Sequence, residues 1–144
     1  DEAAHGATEA SHGYPFLIQL IGYLAWNAAS QASETTITST TVNAVLGEAI
    51  TTMGTQVHDP AVRALSQRQL EYLHALANIA DEAGKATSGA IAHELKTTTT
   101  SLSEVRARLL EQGLIDAPRH GTVALALPYL RNYLHAGGEQ TYVD

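Results

Sequence analysis

The chain has 144 residues, with eight Lys and Arg against fifteen Asp and Glu, no cysteine, one Trp and one Phe. No apolar run approaches the length of a membrane span, and without cysteine neither a disulfide nor a thiolate metal site can form. A chain of this length buries roughly 70% of the surface that its unfolded form exposes, so it holds a core without staples. This composition fits a cytoplasmic protein without excluding export. The chain opens Asp1-Glu2-Ala3, with neither an initiator Met nor a basic and apolar leader, and reads as a fragment of something longer.

Charge divides the chain. All eight basic residues lie between positions 63 and 131, whereas residues 1–59 carry six acidic residues and no Lys or Arg. Residues 60–136 hold eight basic against seven acidic residues, a net of +1, so even this half is not a strong polyanion binder. Affinity for nucleic acid would have to come from geometry. The boundary falls at His58-Asp59-Pro60, where an acidic residue precedes a proline that can open a helix. This gives a helical unit over 1–58, a second domain over 59–136 and a flexible tail over 137–144.

In chain order, the Ala-rich stretch 1–11 predicts a helix. Segment 15–30 is apolar almost all round, with Pro15 at a helix start behind Gly13-Tyr14, and predicts a central buried helix in which Tyr14, Tyr23 and Trp26 join the core. Residues 34–41 form a Thr/Ser-rich break suited to capping. Val42, Val45, Leu46, Ala49, Ile50, Met53 and Val57 then recur at helical spacing, predicting an amphipathic helix. A further helix starts near Ser66, where Ser66 and Gln69 offer a capping box, and buries Leu70, Leu73, Leu76, Ala77 and Ala80. Residues 81–85 read as a loop, 88–95 as a short helix, 96–100 as a turn and 101–112 as a third helix, with Gly113 just past its end. Leu114-Ile115 and residues 123–127 flank Asp116-Ala117-Pro118-Arg119-His120-Gly121 and read as a β-hairpin. Pro128 opens a last helix over 129–135.

Helix, short helix, turn, third helix and hairpin, with Arg119-His120-Gly121 at the tip, resemble a winged helix-turn-helix domain. The predicted fold is therefore mainly α: a helical lid remnant followed by a winged helix-turn-helix domain with a small β-hairpin wing. The lid reading comes from Gly13-Tyr14-Pro15-Phe16-Leu17-Ile18-Gln19-Leu20-Ile21-Gly22. This resembles the Gly-x-Pro helix start in the lid of STAND and Orc-like AAA+ ATPases, where the proline end of the lid helix packs on the adenine and a winged helix follows. The stretch from Gly121 to Leu130, ending in Tyr133-Leu134, is also similar to the tail of ATP-binding proteins of this group. The resemblance implies a parent that binds ATP or ADP with Mg, an ATPase core as partner of this region, and nucleotide contact at Gly13, Tyr14 and Pro15. Residues 1–59 have no arginine to reach a γ-phosphate, which favours the STAND-like form. No phosphate loop and no Mg-binding acid occur, so the fragment itself is predicted to be no enzyme and to hold no cofactor.

A helical projection of the third helix at about 100° per residue, with Leu102, Val105 and Leu109 inward, leaves Glu104, Ala107, Arg108 and Glu111 at the centre of the outer face. That face is mixed in charge. Arg106 falls at the edge of the buried side and reads as a structural arginine. Lys96, Thr98, Thr99, Ser101, Ser103, Arg119 and His120, with Glu104 and Arg108, make up the DNA- or partner-binding candidates. Two carboxylates facing a phosphate backbone favour docking on protein over double-stranded DNA. The alternative is a DNA-binding winged-helix regulator whose first unit is a helical dimerisation bundle; a pure protein-interaction module is a third. Seven histidines include no His-x-x-x-His pair and no His-Glu-x-x-His, so no zinc site is predicted.

Overall fold

The computed structural model of the chain describes residues 2–136; the tail expected over 137–144 lies outside the described residues. The chain is mainly helical with a small three-stranded antiparallel sheet. It separates into two compact units, Asp1–Val57 and His58–Asp144.

The first unit consists of α1 (Glu2–Ser11), α2 (Pro15–Gln31) and α3 (Ser39–Met53), each packed on the other two. Proline at the start of α2 suits a position whose N–H has no helical partner. Leu17, Ile21, Ala25 and Ala29, spaced by four, form the buried stripe of α2. Thr38 and Thr41 cap α3 reciprocally, at 3.3 and 3.4 Å, and Val42, Val45, Ala49 and Met53 bury its inner face. The structure corrects the prediction for the other side of α2. Tyr23 and Trp26 are not core residues but are each 64% exposed, and Tyr14 is half-buried. Within this unit α1 and α3 pack on α2, and two neighbours shield one side of a helix, however apolar the rest.

The chain crosses from one unit to the next within a π-helical turn, Gly54–His58, followed by α4 (Asp59–Arg63). Pro60 explains the widened turn: it has no N–H to donate and its ring would clash with the carbonyl four residues earlier.

In the second unit follow α5 (Gln67–Ile79), β1 (Lys85–Thr87), α6 (Ser88–Glu94), α7 (Ser103–Glu111), β2 (Ile115–Arg119), β3 (Thr122–Leu125) and α8 (Leu130–His135). The capping box expected at Ser66 and Gln69 is present. Tyr72, Leu73, Leu76, Ile91, Leu109, Ile115, Val123 and Leu130 build one continuous core. The sheet order is β1-β3-β2, with Lys85 opposite Ala124 and Thr87 opposite Thr122. The loop predicted over 81–85 thus gives way to a strand from Lys85, and the hairpin gains a third strand. Pro128 does not open the last helix directly: it is buried, Tyr129 takes a left-handed φ of 63°, and α8 begins at Leu130.

Gly113 ends α7. At a φ of +76° its N–H donates to Leu110 O at 3.1 Å and the Leu114 N–H to Leu109 O at 3.0 Å, the Schellman pairing, with Leu109 and Leu114 both buried behind it. An alanine fits the space, since nothing lies within 4 Å of an added Cβ, but not the backbone angle. Gly113→Ala is therefore expected to lower unfolding stability by about 1 kcal/mol, read from the midpoint of urea denaturation at unchanged slope.

Candidate functional site

In the first unit the predicted contact is a compact exposed turn. Gly13 has a φ of +75° and its N–H donates to Ser11 Oγ at 3.2 Å, while the Tyr14 N–H donates to Ser11 O at 3.0 Å. The left-handed glycine lets the chain reverse at once from α1 into α2, leaving Gly13 and Pro15 exposed beside a half-buried Tyr14.

In the second unit the predicted residues fall in two places. Lys96, with a left-handed φ of 56°, starts the turn between α6 and α7. Thr98 Oγ1 accepts from the Ser101 N–H at 3.1 Å and the Ser103 hydroxyl donates to Thr100 O at 2.8 Å. These two polar side chains thus satisfy local backbone; Thr99 and Ser101 are exposed. On α7, Glu104, Ala107, Arg108 and Glu111 are all exposed, as projected. Arg108 donates to Glu104 across one turn at 3.3 Å, so the cation of this face is already partnered by a carboxylate. Arg119 and His120 lie at the hairpin turn instead, both exposed.

The structure adds a grouping the sequence left apart. Arg119 shares a groove of about 470 Å³ with Lys85, Thr87 and Thr122, across the sheet. The groove is built on β1, a strand of three residues too short for alternation to announce. Asp81 lies at the same groove, its Oδ1 accepting from the Ala83 and Lys85 N–H groups at 2.9 and 3.0 Å. Among the described residues, no three His, Cys, Asp or Glu gather as a metal would require, and no helix is long and apolar enough to cross a membrane.

Two polar arrangements fix the frame of this unit. Arg131 on α8 donates from Nε to Ala77 O at 2.9 Å, from one terminal nitrogen to Asp81 O at 2.8 Å and from the other to Ala80 O at 2.6 Å. At the other seam, buried His58 donates from Nε2 to Pro128 O at 2.8 Å, and its ring leans on Tyr133 with centroids 5.2 Å apart. The Tyr133 hydroxyl donates to the Asp59 carboxylate. His58 Nδ1 is buried with no hydrogen-bond partner among the described residues, so a second ring proton would have no acceptor. Burial lowers the His58 pKa below its ordinary 6.5, with the Pro128 hydrogen bond and the Asp59 charge pulling the other way. Across the core, burial raises the Tyr72 hydroxyl, against a smaller opposing effect of Arg106.

A family model described as "Domain of unknown function (DUF8462)" matches residues 55–134. Comparison with curated proteins and with solved structures gives no match.

Two outcomes follow from these seams. Arg131→Met keeps the aliphatic stem but removes the fork, and is expected to cost about 2 kcal/mol in urea unfolding, with Arg131→Lys recovering only part. For His58 the folded pKa lies below the unfolded one, so its stabilisation is complete above the ordinary pKa of 6.5 and is lost as pH falls toward the folded value. Unfolding free energy measured from about pH 7 down to about pH 5 should therefore fall more steeply for the wild-type chain than for His58→Gln.

Proposed function

The chain belongs to the DUF8462 family, and we propose, on its own residues and fold, that its second unit is a winged helix-turn-helix domain that docks on protein, carried by the C-terminal regulatory part of an AAA+/STAND-type ATPase. The order α5, β1, α6, α7, β2, β3 and the sheet order β1-β3-β2 support the winged reading, with α7 as third helix and the His120-Gly121 turn as wing tip. The observation that carries the docking role is the outer face of α7. Its central cation is paired with Glu104, and Ala107 and Glu111 complete a near-neutral surface that suits a protein partner better than a phosphate backbone.

The nucleotide part of the reading rests on the resemblance of the Gly13-Tyr14-Pro15 turn to an ATPase lid start. In it, the first unit closes on ATP or ADP held with Mg by a core elsewhere in a cytoplasmic parent, and the second unit changes its docking when nucleotide is exchanged. A missing Cβ at Gly13 admits a flat base, and Pro15 offers a rigid apolar edge.

The rival reading, a DNA-binding regulator, draws on exposed Lys96, Arg119 and His120 and on the Lys85 and Arg119 groove. Fluorescence anisotropy with duplex DNA across a salt series separates the two. The docking reading expects weak binding with a shallow salt slope, unaltered by Arg119→Ala; a slope of several released counterions, lost in that variant, hands the assignment to the rival. For the nucleotide part, the coding sequence ahead of Asp1 should supply a phosphate loop, and the longer protein should bind ADP more weakly once Pro15 is replaced by Ala. Binding indifferent to Pro15 would remove the lid contact.

A further inference from the structure

The middle of α2 presents apolar surface that the first unit itself does not cover. Tyr23 and Trp26, one turn apart, are each 64% exposed, and Ile18 is 37% exposed. Trp26 also forms one wall of an open apolar hollow of about 410 Å³, whose other walls include Ala3, Ala7, Gly22, Ala25 and Ile37. The hollow has a simple origin. Here α1 contributes only Ala3, Ala4 and Ala7, and α2 sets the small Gly22 and Ala25 between Ile21 and Trp26, which leaves the space open. Large aromatics beside an unfilled apolar hollow, at the surface of a unit with a complete core of its own, make a docking surface: an anchor pair and the pocket that receives the partner's anchor.

The charges of the unit define the occupant. Over Asp1–Val57 every Asp, Glu, Lys or Arg is acidic, and the described ones, Glu2, Glu9, Glu34 and Glu48, are all exposed. Glu34 immediately precedes Thr35 and Thr36, which line the hollow. His5 approaches Glu9 at 3.7 Å. A second copy would bring like charge to like, and an anionic partner would be repelled. We propose that this face of α2 binds a basic amphipathic helix of a partner protein. Its apolar side chains enter the hollow and cover Trp26 and Tyr23, and its Lys and Arg lie toward the acidic surroundings. The site shares no residue with the Gly13-Tyr14-Pro15 turn or with the outer face of α7, and does not depend on the function proposed above.

The chain's single tryptophan is its own reporter. The probe is a Trp-free helical peptide of Leu and Lys in amphipathic order, titrated into the full chain, with two control peptides carrying Glu for Lys or Ser for Leu. The expected result is a saturable blue shift of Trp26 emission with the Leu/Lys peptide alone, its Kd weakening about tenfold between about 0.05 M and about 0.5 M salt. Gly22→Leu fills the hollow from a helical position where nothing lies within 4 Å of an added Cβ. It should keep the thermal midpoint of the wild-type chain yet weaken binding by about tenfold or more, as should Tyr23→Ser. Equal binding of the Glu peptide, or undiminished binding by Gly22→Leu, would overturn the proposal. So would a blue shift that grows with protein concentration without peptide, which would make the occupant a second copy.

Discussion

The guanidinium of Arg131, spread over the carbonyls of Ala77, Ala80 and Asp81, is the contact on which the second unit is built. α5 is the spine of that unit, packing against α6, α7, α8 and the sheet. The residue that caps its C-terminus, Ala80, leaves in extended conformation, without the left-handed glycine that closes α7, so the last carbonyls need donors from elsewhere. A forked cation supplies several donors in one plane and offsets the negative end of the helix at the same time. With that end pinned, the Asp81 turn launches β1 at a fixed point, and β1 can pair with β3 in register. The outward face of α7 and the hairpin are then held by a frame whose position is set at residue 131.

The entry to the unit is governed by a different compromise. Pro60 interrupts the hydrogen-bond ladder, the π-turn absorbs the interruption, and the widened turn ends at a buried histidine. His58 occupies a place that an apolar residue would fill at lower desolvation cost, and it does so with one ring nitrogen bonded and the other orphaned. That pattern of half-satisfied burial matters only for a side chain whose charge can change near neutrality. It makes this seam of the second unit respond to pH as the hydrophobic core does not.

Local chemistry was the legible part of this sequence. The capping-prone stretch over 34–41, the capping box at Ser66, the stop at Gly113 and the helical stripes of α2 and α3 follow from neighbours within a few residues, and periodicity reports them directly. The outer face of α7 was also projected correctly, because three inward residues fix the rotation of a helix. What the pattern misjudged were matters of supply from far along the chain. Nothing in Lys85-Ala86-Thr87 announces a strand without the partner β3, and no rule local to Tyr129 demands a left-handed residue there. The apolar circumference of α2 spoke for burial, yet burial requires neighbours, and the first unit supplies them on one side only. Among the candidate residues, Thr98 and Ser103 turn out to serve their own turn, whereas the Lys85 and Arg119 groove emerges only when the sheet is assembled.

The seam between His58 and Pro128 joins positions 70 residues apart, and that between Asp59 and Tyr133 positions 74 apart. The unit is thereby stitched shut by its first and last elements, a closure that cannot begin while its far end is still inside the ribosome. During synthesis these two contacts cannot form until residue 133 has emerged. Cutting back from either edge would open the same stitch, so the shortest autonomous version of this unit is set by that closure and not by the helices in between.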